Sequence, residues 1–190
     1  MTRNQLRLLF CGALLLLLAG CGGAGTNYYR LDATAPATGN ASAAGLSVSV
    51  GPVSLPTYLE RPEVVFATGP NEFQVPSDAL WIGSLRDNIS RTVAADLGRL
   101  LGSANVRGGS EPRSQPRYRV ALDIRRFHGI SGQGAILDLS WTIRSGGGQM
   151  ISRQSAVFHE QIVGDGYGPL VVAESRLLEQ CAAAIAQSLR

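Results

Sequence analysis

Three consecutive runs between residues 118 and 163 constrain the fold most. Tyr118, Val120, Leu122 and Ile124 alternate with Arg119, Asp123 and Arg125. Leu137, Leu139, Trp141 and Ile143 follow Ile136 and alternate with Asp138, Ser140, Thr142 and Arg144, and residues 150–163 supply a third run. A period of two places apolar side chains on one face of a sheet and polar ones on the other. Glycine-rich connections at 129–134 and 146–148 are short, which implies an antiparallel meander.

An apolar sheet face needs a cover, and two helical stripes offer one. Trp81, Ile82, Leu85, Ile89, Val93, Leu97, Leu100 and Leu101 recur at steps of three and four, with Ser77 or Asp78 as N-cap and Gly102 as stop. That spacing predicts a helix over 78–101. Val171, Ser175, Leu178, Cys181, Ala182, Ile185 and Leu189 predict a second over 169–189. Residues 27–31, 46–50, 63–68, 73–75 and 105–106 read as shorter strands. Pro52 ends the second of these, and residues 69–72 turn a hairpin between the third and fourth. Two long helices with six or more strands make one α/β or α+β domain.

The first 21 residues follow other rules. Arg3 and Arg7, an apolar run too short to span a bilayer comfortably, and the small residues Ala19 and Gly20 compose a secretory signal. Leu18-Ala19-Gly20-Cys21 resembles the bacterial lipobox, in which the cysteine thiol takes a diacylglycerol and the signal is cut before it. Residues 1–20 are thus expected to form a lipoprotein signal peptide, 21–26 a lipidated tether, and 27–190 a single domain. Each acyl chain contributes about 0.8 kcal/mol per buried methylene, and two or more chains hold a protein stably on a membrane.

Without residues 1–20 the chain keeps 170 residues, enough for one core, with 15 basic residues against 14 acidic ones. That balance gives no reason to expect nucleic acid as a partner. Every basic residue is arginine, as a GC-rich coding bias alone would produce. Cys11 leaves with the signal and Cys21 is expected to be acylated, so Cys181 stands alone and no intrachain disulfide can form. Its place in an apolar helical stripe predicts a buried, inert thiol.

Residues that carry chemistry are sparse. His128 and His159 fall on different strands, without the clustered Cys, Asp or Glu of a metal site, and read as surface or strand-end histidines. Residues 129–134 lack the lysine of a phosphate loop and join two strands rather than opening a helix. Arg117, Arg119, Arg125 and Arg126 read as a solvated sheet edge. No catalytic residue, metal or cofactor is expected. The segment between Pro52 and Pro62 is rigid and loses little entropy on binding, which suits a partner contact through Pro56, Tyr58, Leu59 and Arg61. Tyr58 and Leu59 would equally serve to cap the core.

Several of these segments together resemble the ABC-type transport auxiliary lipoproteins, a family that includes the PqiC-like subunits of MCE-type lipid transport systems. The likeness rests on Tyr28-Tyr29-Arg30-Leu31, on the stretch from Val50-Gly51-Pro52-Val53 to Tyr58-Leu59-Glu60-Arg61-Pro62, and on the helix carrying Trp81, Leu85 and Ile89. It extends to residues 118–127, to Leu137-Asp138-Leu139-Ser140-Trp141 and to the closing helix. Glu60 departs from the commoner aspartate.

The resemblance implies a three-layer α/β/α sandwich with a mixed, largely antiparallel sheet, similar to the amino-terminal domain of TolB-like proteins. It also implies a non-enzymatic periplasmic subunit that works with an MCE-domain protein and an ABC permease and ATPase. Together they would move lipids between inner and outer membranes and support envelope integrity. Homo-oligomerisation stays open. Gly22, where aspartate would signal retention, favours anchoring in the outer membrane, with the inner membrane as the alternative. A second reading is a periplasmic carrier of lipid or a small ligand, which needs an apolar cavity between helix and sheet.

Overall fold

The computed structural model describes residues 25–37, 45–109 and 115–189. The strands are β1 (Asn27–Tyr29), β2 (Val48–Ser54), β3 (Phe66–Gly69), β4 (Glu72–Gln74), β5 (Ala79–Trp81), β6 (Val106–Gly108), β7 (Tyr118–Ile130), β8 (Gly134–Ser145) and β9 (Met150–Glu160). The helices are α1 (Leu85–Leu101) and α2 (Tyr167–Ser188).

β7 organises the main sheet. On one side it pairs in parallel with β2 along its first half and with β3 at Gly129 and Ile130. β6 extends the sheet beyond β2, and β4 returns antiparallel to β3. On the other side lie β8 and then β9, both antiparallel, as the meander predicts. β1 and β5 form a separate parallel ladder.

The mixed α/β class and the two long amphipathic helices stand as expected. Val120, Leu122 and Ile124 of β7 and Leu137, Leu139 and Ile143 of β8 are buried on one sheet face. Against them pack Ile89, Val93 and Leu97 of α1 and Leu177, Leu178 and Ile185 of α2. The helices also pack on each other. They share one layer because the sheet's far face carries the exposed side chains of Asp123, Arg125, Arg126 and Arg144.

An extended strap runs over the helix pair. The Leu31 carbonyl accepts from Thr92 Oγ1 at 3.2 Å, and the Asp32 N–H donates to Ser175 Oγ at 3.2 Å. The Ala35 N–H donates to Asp96 Oδ1 at 2.8 Å, and Arg99 Nη1 donates to the Ala33 carbonyl at 2.7 Å. Layers therefore run sheet, helix pair, strap.

Two local expectations are corrected. The first helix starts at Leu85 rather than residue 78. Its N-cap is Ser84, whose side chain accepts from the Asp87 N–H, and Trp81 belongs to β5. The apolar stripe stays in phase across this junction, but Gly83 at φ 77° breaks the helix, and β1 supplies β5 with a ladder from 52 residues upstream. β2 also continues through Pro52 to Ser54. The ladder to β7 shifts register between Val50 and Val53, so the proline sits in an irregularity where no N–H is needed. The second helix lies within two residues of its predicted span.

Candidate docking surfaces

The proline-flanked segment crosses from β2 to β3. Pro56 precedes a 3-10 turn, Thr57–Leu59, whose Leu59 N–H donates to the Pro56 carbonyl at 2.9 Å. Leu59 is 2 % exposed and belongs to the core, whereas Pro56 and Tyr58 are half-buried. Arg61 is exposed and donates through Nε to Glu63 at 3.0 Å. Glu60 pairs with Arg86 of α1, and Arg86 Nη1 donates to the Val53 carbonyl at 2.8 Å, so the segment is clamped to the helix start. A recess of about 380 Å³ between them is lined by Leu55, Glu60, Arg61, Pro62, Ser84 and Arg86.

Tyr58 turns from this segment toward β7. Its hydroxyl lies 3.0 Å from His128 Nδ1, and Phe73 of β4 completes an aromatic trio with ring centroids 5.2–5.8 Å apart. His128 is only 4 % exposed, which corrects the expectation of a surface histidine. Burial, with the Arg126 charge beside it, pushes its pKa down to about 4. The ring is neutral at physiological pH, and its tautomer sets which member of the pair donates and which accepts. Burial raises the Tyr58 pKa, so the phenol keeps its proton. A pair in which both groups resist ionisation is a packing contact, not a base activating a nucleophile.

His159 stays exposed on β9, across Ile136 from His128. Two strand spacings, about 10 Å, separate their backbones, and Ile136 stands between them. Among the described residues no three His, Cys, Asp or Glu side chains gather as a metal site.

A cleft of about 660 Å³ opens where the β7–β8 hairpin, the end of β9 and the first turn of α2 meet. Phe66, Ile130, Ile162 and Leu170 give it an apolar lining, with Gln133 and Asp165 at its polar side. It lies at the end of the sheet. The space between helices and sheet is filled by Leu122, Leu139, Leu177 and Leu178, each 2 % exposed or less.

The model of the ABC-type transport auxiliary lipoprotein component matches residues 29–186. The chain belongs to this family. It is 28 % identical over 178 residues to the intermembrane transport lipoprotein PqiC of Escherichia coli K12 and equally to that of Shigella flexneri, covering 92 % of this chain and 93 % of each relative. Two crystal structures share the fold. One, of an uncharacterized protein, aligns with a TM-score of 0.70 at 21 % identity over 88 % of this chain and all of that one. The other, from Xanthomonas campestris, aligns at 0.67 and 16 % identity over 85 % and 93 %.

In this auxiliary lipoprotein the lipid-acceptor candidate Cys21 lies outside the described residues. Cys181 is fully buried, and burial pushes its thiol up to about 12. Sequence reasoning missed two buried acids. Burial raises Asp96 to about 6 although the strap donates to its Oδ1, and burial alone raises Glu174 well above the carboxylate range. Their i, i+3 neighbours are apolar (Val93 and Leu177), a signal of inward placement that polarity obscured. The arginines of β7 prove to stand on an open sheet face rather than an edge, since β7 has neighbours on both sides.

Proposed function

We infer that this protein is a lipid-anchored accessory subunit of an ABC/MCE-type system that moves lipids between the inner and outer membranes. The end-to-end family match, together with relatives whose name specifies intermembrane transport, carries this reading. Binding is its activity. Cys21 bears the lipid, and the accessible parts of Pro56 and Tyr58, with Arg61 at the 380 Å³ recess, offer a rigid contact for the MCE-domain protein or the permease. Gly22 after the lipid cysteine favours the periplasmic face of the outer membrane. No helix among the described residues is long and apolar enough to cross a membrane.

Cys21 lies four residue steps before Gly25, a reach of about 14 Å at most. The Asn27 N–H donates to the Asp78 carbonyl, and the Asp78 charge acts on Tyr167 at the cleft, so β1 begins near the cleft end of the domain. That placement favours a second reading, in which the cleft takes a lipid headgroup or chain end as a carrier would.

Fractionation of wild type and Cys21→Ala tests the anchor. The wild type should float with outer-membrane vesicles and take up an alkyne-palmitate label, while the variant should appear folded in the soluble periplasm and fail to restore transport. A fully functional Cys21→Ala variant overturns the anchoring. Crosslinking at Arg61 should capture a transport component, and native mass spectrometry showing lipid lost on Leu170→Trp would favour the carrier.

A further inference from the structure

The open sheet face divides into two halves of different charge balance. Toward the end of β7, Arg125 and Arg126 both pair with Asp138, which they hold below the usual carboxylate range although burial pushes it upward. Toward its start, no such pairing exists. Arg107 of β6 lies beside Ser49 of β2, Ser49 beside Arg119 of β7, and Arg119 directly opposite Arg144 of β8. Paired residues share a face, so three arginines stand in one row. Arg153 of β9, opposite Thr142, adds a fourth one diagonal step away.

Among the described residues none of these four forms an ion pair with a carboxylate, and the Arg119 Nε is buried without an acceptor. Like charges directly across a ladder are unfavourable. The row is an arrangement that a bound anion would relieve.

Beside this row runs an open edge. β9 pairs only with β8, so along 11 residues its outer backbone groups meet no ladder partner. Natural edges of this length are usually interrupted by proline, bulges or cover. Here Met150, Ile151 and Val157 stand 57 %, 50 % and 47 % exposed on the same strand, three of the eight large apolar side chains left exposed among the described residues.

We propose that β9 takes an extended acidic segment of a partner polypeptide as an added strand, its carboxylates alternating onto Arg153 and Arg144 while its amides and carbonyls complete the β9 ladder. A bilayer would meet the arginines but not the backbone edge, whereas a strand with alternating acids completes the edge and meets the two arginines nearest it, Arg153 and Arg144. The inference stands on the edge and its charges and does not rest on the transport role.

The test uses the full lipoprotein in neutral detergent with a fluorescein-labelled peptide of alternating glutamate and valine. Binding should appear by anisotropy, weaken with salt, and bring hydrogen-exchange protection to β9 amides. The Arg144→Glu, Arg153→Glu double variant should bind about tenfold or more weakly with an unchanged melting curve. A peptide of equal charge with proline at alternate valines should not bind. Equal binding of the proline peptide overturns strand addition. So does binding of phosphatidylglycerol vesicles through these arginines with none of the peptide, or β9 protection already complete in the free protein through self-association.

Discussion

The Tyr58 hydroxyl and His128 Nδ1 meet at 3.0 Å across 70 residues of sequence. The contact ties the proline-flanked crossing to the central strand and gives a buried imidazole nitrogen its hydrogen-bond partner. Tyr58→Phe keeps the ring against Phe73 and removes only that partner. A polar group left unsatisfied in a buried site costs about 1–3 kcal/mol. Urea denaturation at pH 7 should show this loss with an unchanged m-value. A variant as stable as wild type would mean the hydroxyl contributes nothing.

His128 and Asp96 make opposite contributions to the dependence of stability on pH. The His128 pKa falls from 6.5 to about 4 on folding, so its contribution is full above 6.5 and is lost as pH drops toward 4. Asp96 rises from 3.8 to about 6, so its contribution is full below 3.8 and is lost as pH climbs toward 6. Each displacement corresponds to about 3 kcal/mol, and the windows overlap, so the two slopes largely cancel in the wild type. Glu174, raised by burial, adds to the Asp96 side. Relative to wild type, Asp96→Asn should show a denaturation midpoint that rises from pH 4 to 6, the histidine slope then being opposed by Glu174 alone. His128→Gln should show the reverse, a midpoint falling from pH 4 to 6. Parallel profiles for the two variants would refute the assignment.

Gly108 marks where β6 meets α1. A methyl there would collide with the Ser90 carbonyl and come within 2.8 Å of the Arg91 Cα, both backbone of a helix that cannot yield locally. Gly108→Ala should therefore destabilise by about 1–3 kcal/mol, the usual range for overpacking. Gly147→Ala, in the β8–β9 turn with only the Ser145 hydroxyl near at 3.9 Å, is the matched control and should stay within about 0.5 kcal/mol of wild type. Thermal melts of the pair decide it.

The meander was legible because each of its strands pairs with its neighbour in the chain, leaving alternation as the whole signal. β5 was not, since its partner β1 lies far upstream and Trp81 and Leu85 face inward under either period. The irregularity in β7 hid more. An extra residue at Arg125 shifts the register between Ile124 and Arg126, which places Arg125 and Arg126 together on Asp138 and sends Phe127 inward and His128 outward. His128 is nonetheless buried because Tyr58 and Phe73, from two other connections, close over it. Of the residues read as a docking segment, only burial could separate Leu59 in the core from Arg61 in solvent. Burial depends on the crossing path, which composition does not encode.

Cys181 offers the last test. It sits at 0 % exposure on the face of α2 that meets the sheet and α1, and its thiol is pushed up to about 12. At pH 8 the thiolate fraction is then roughly one in ten thousand, and no reagent has a path to the sulfur. With Cys21 blocked by the proposed lipid, the mature protein should show no reactive thiol under native conditions and one after denaturation. The rate of modification in dilute denaturant should follow global unfolding rather than local fraying, because Cys181 lies mid-helix among Leu177, Leu178 and Ile185, all at 0 % exposure. Cys181→Ser would bury a hydroxyl in place of a soft apolar atom and lower stability by about 1–3 kcal/mol. Rapid labelling of the folded protein at a rate independent of denaturant would show instead that α2 opens without the rest of the core.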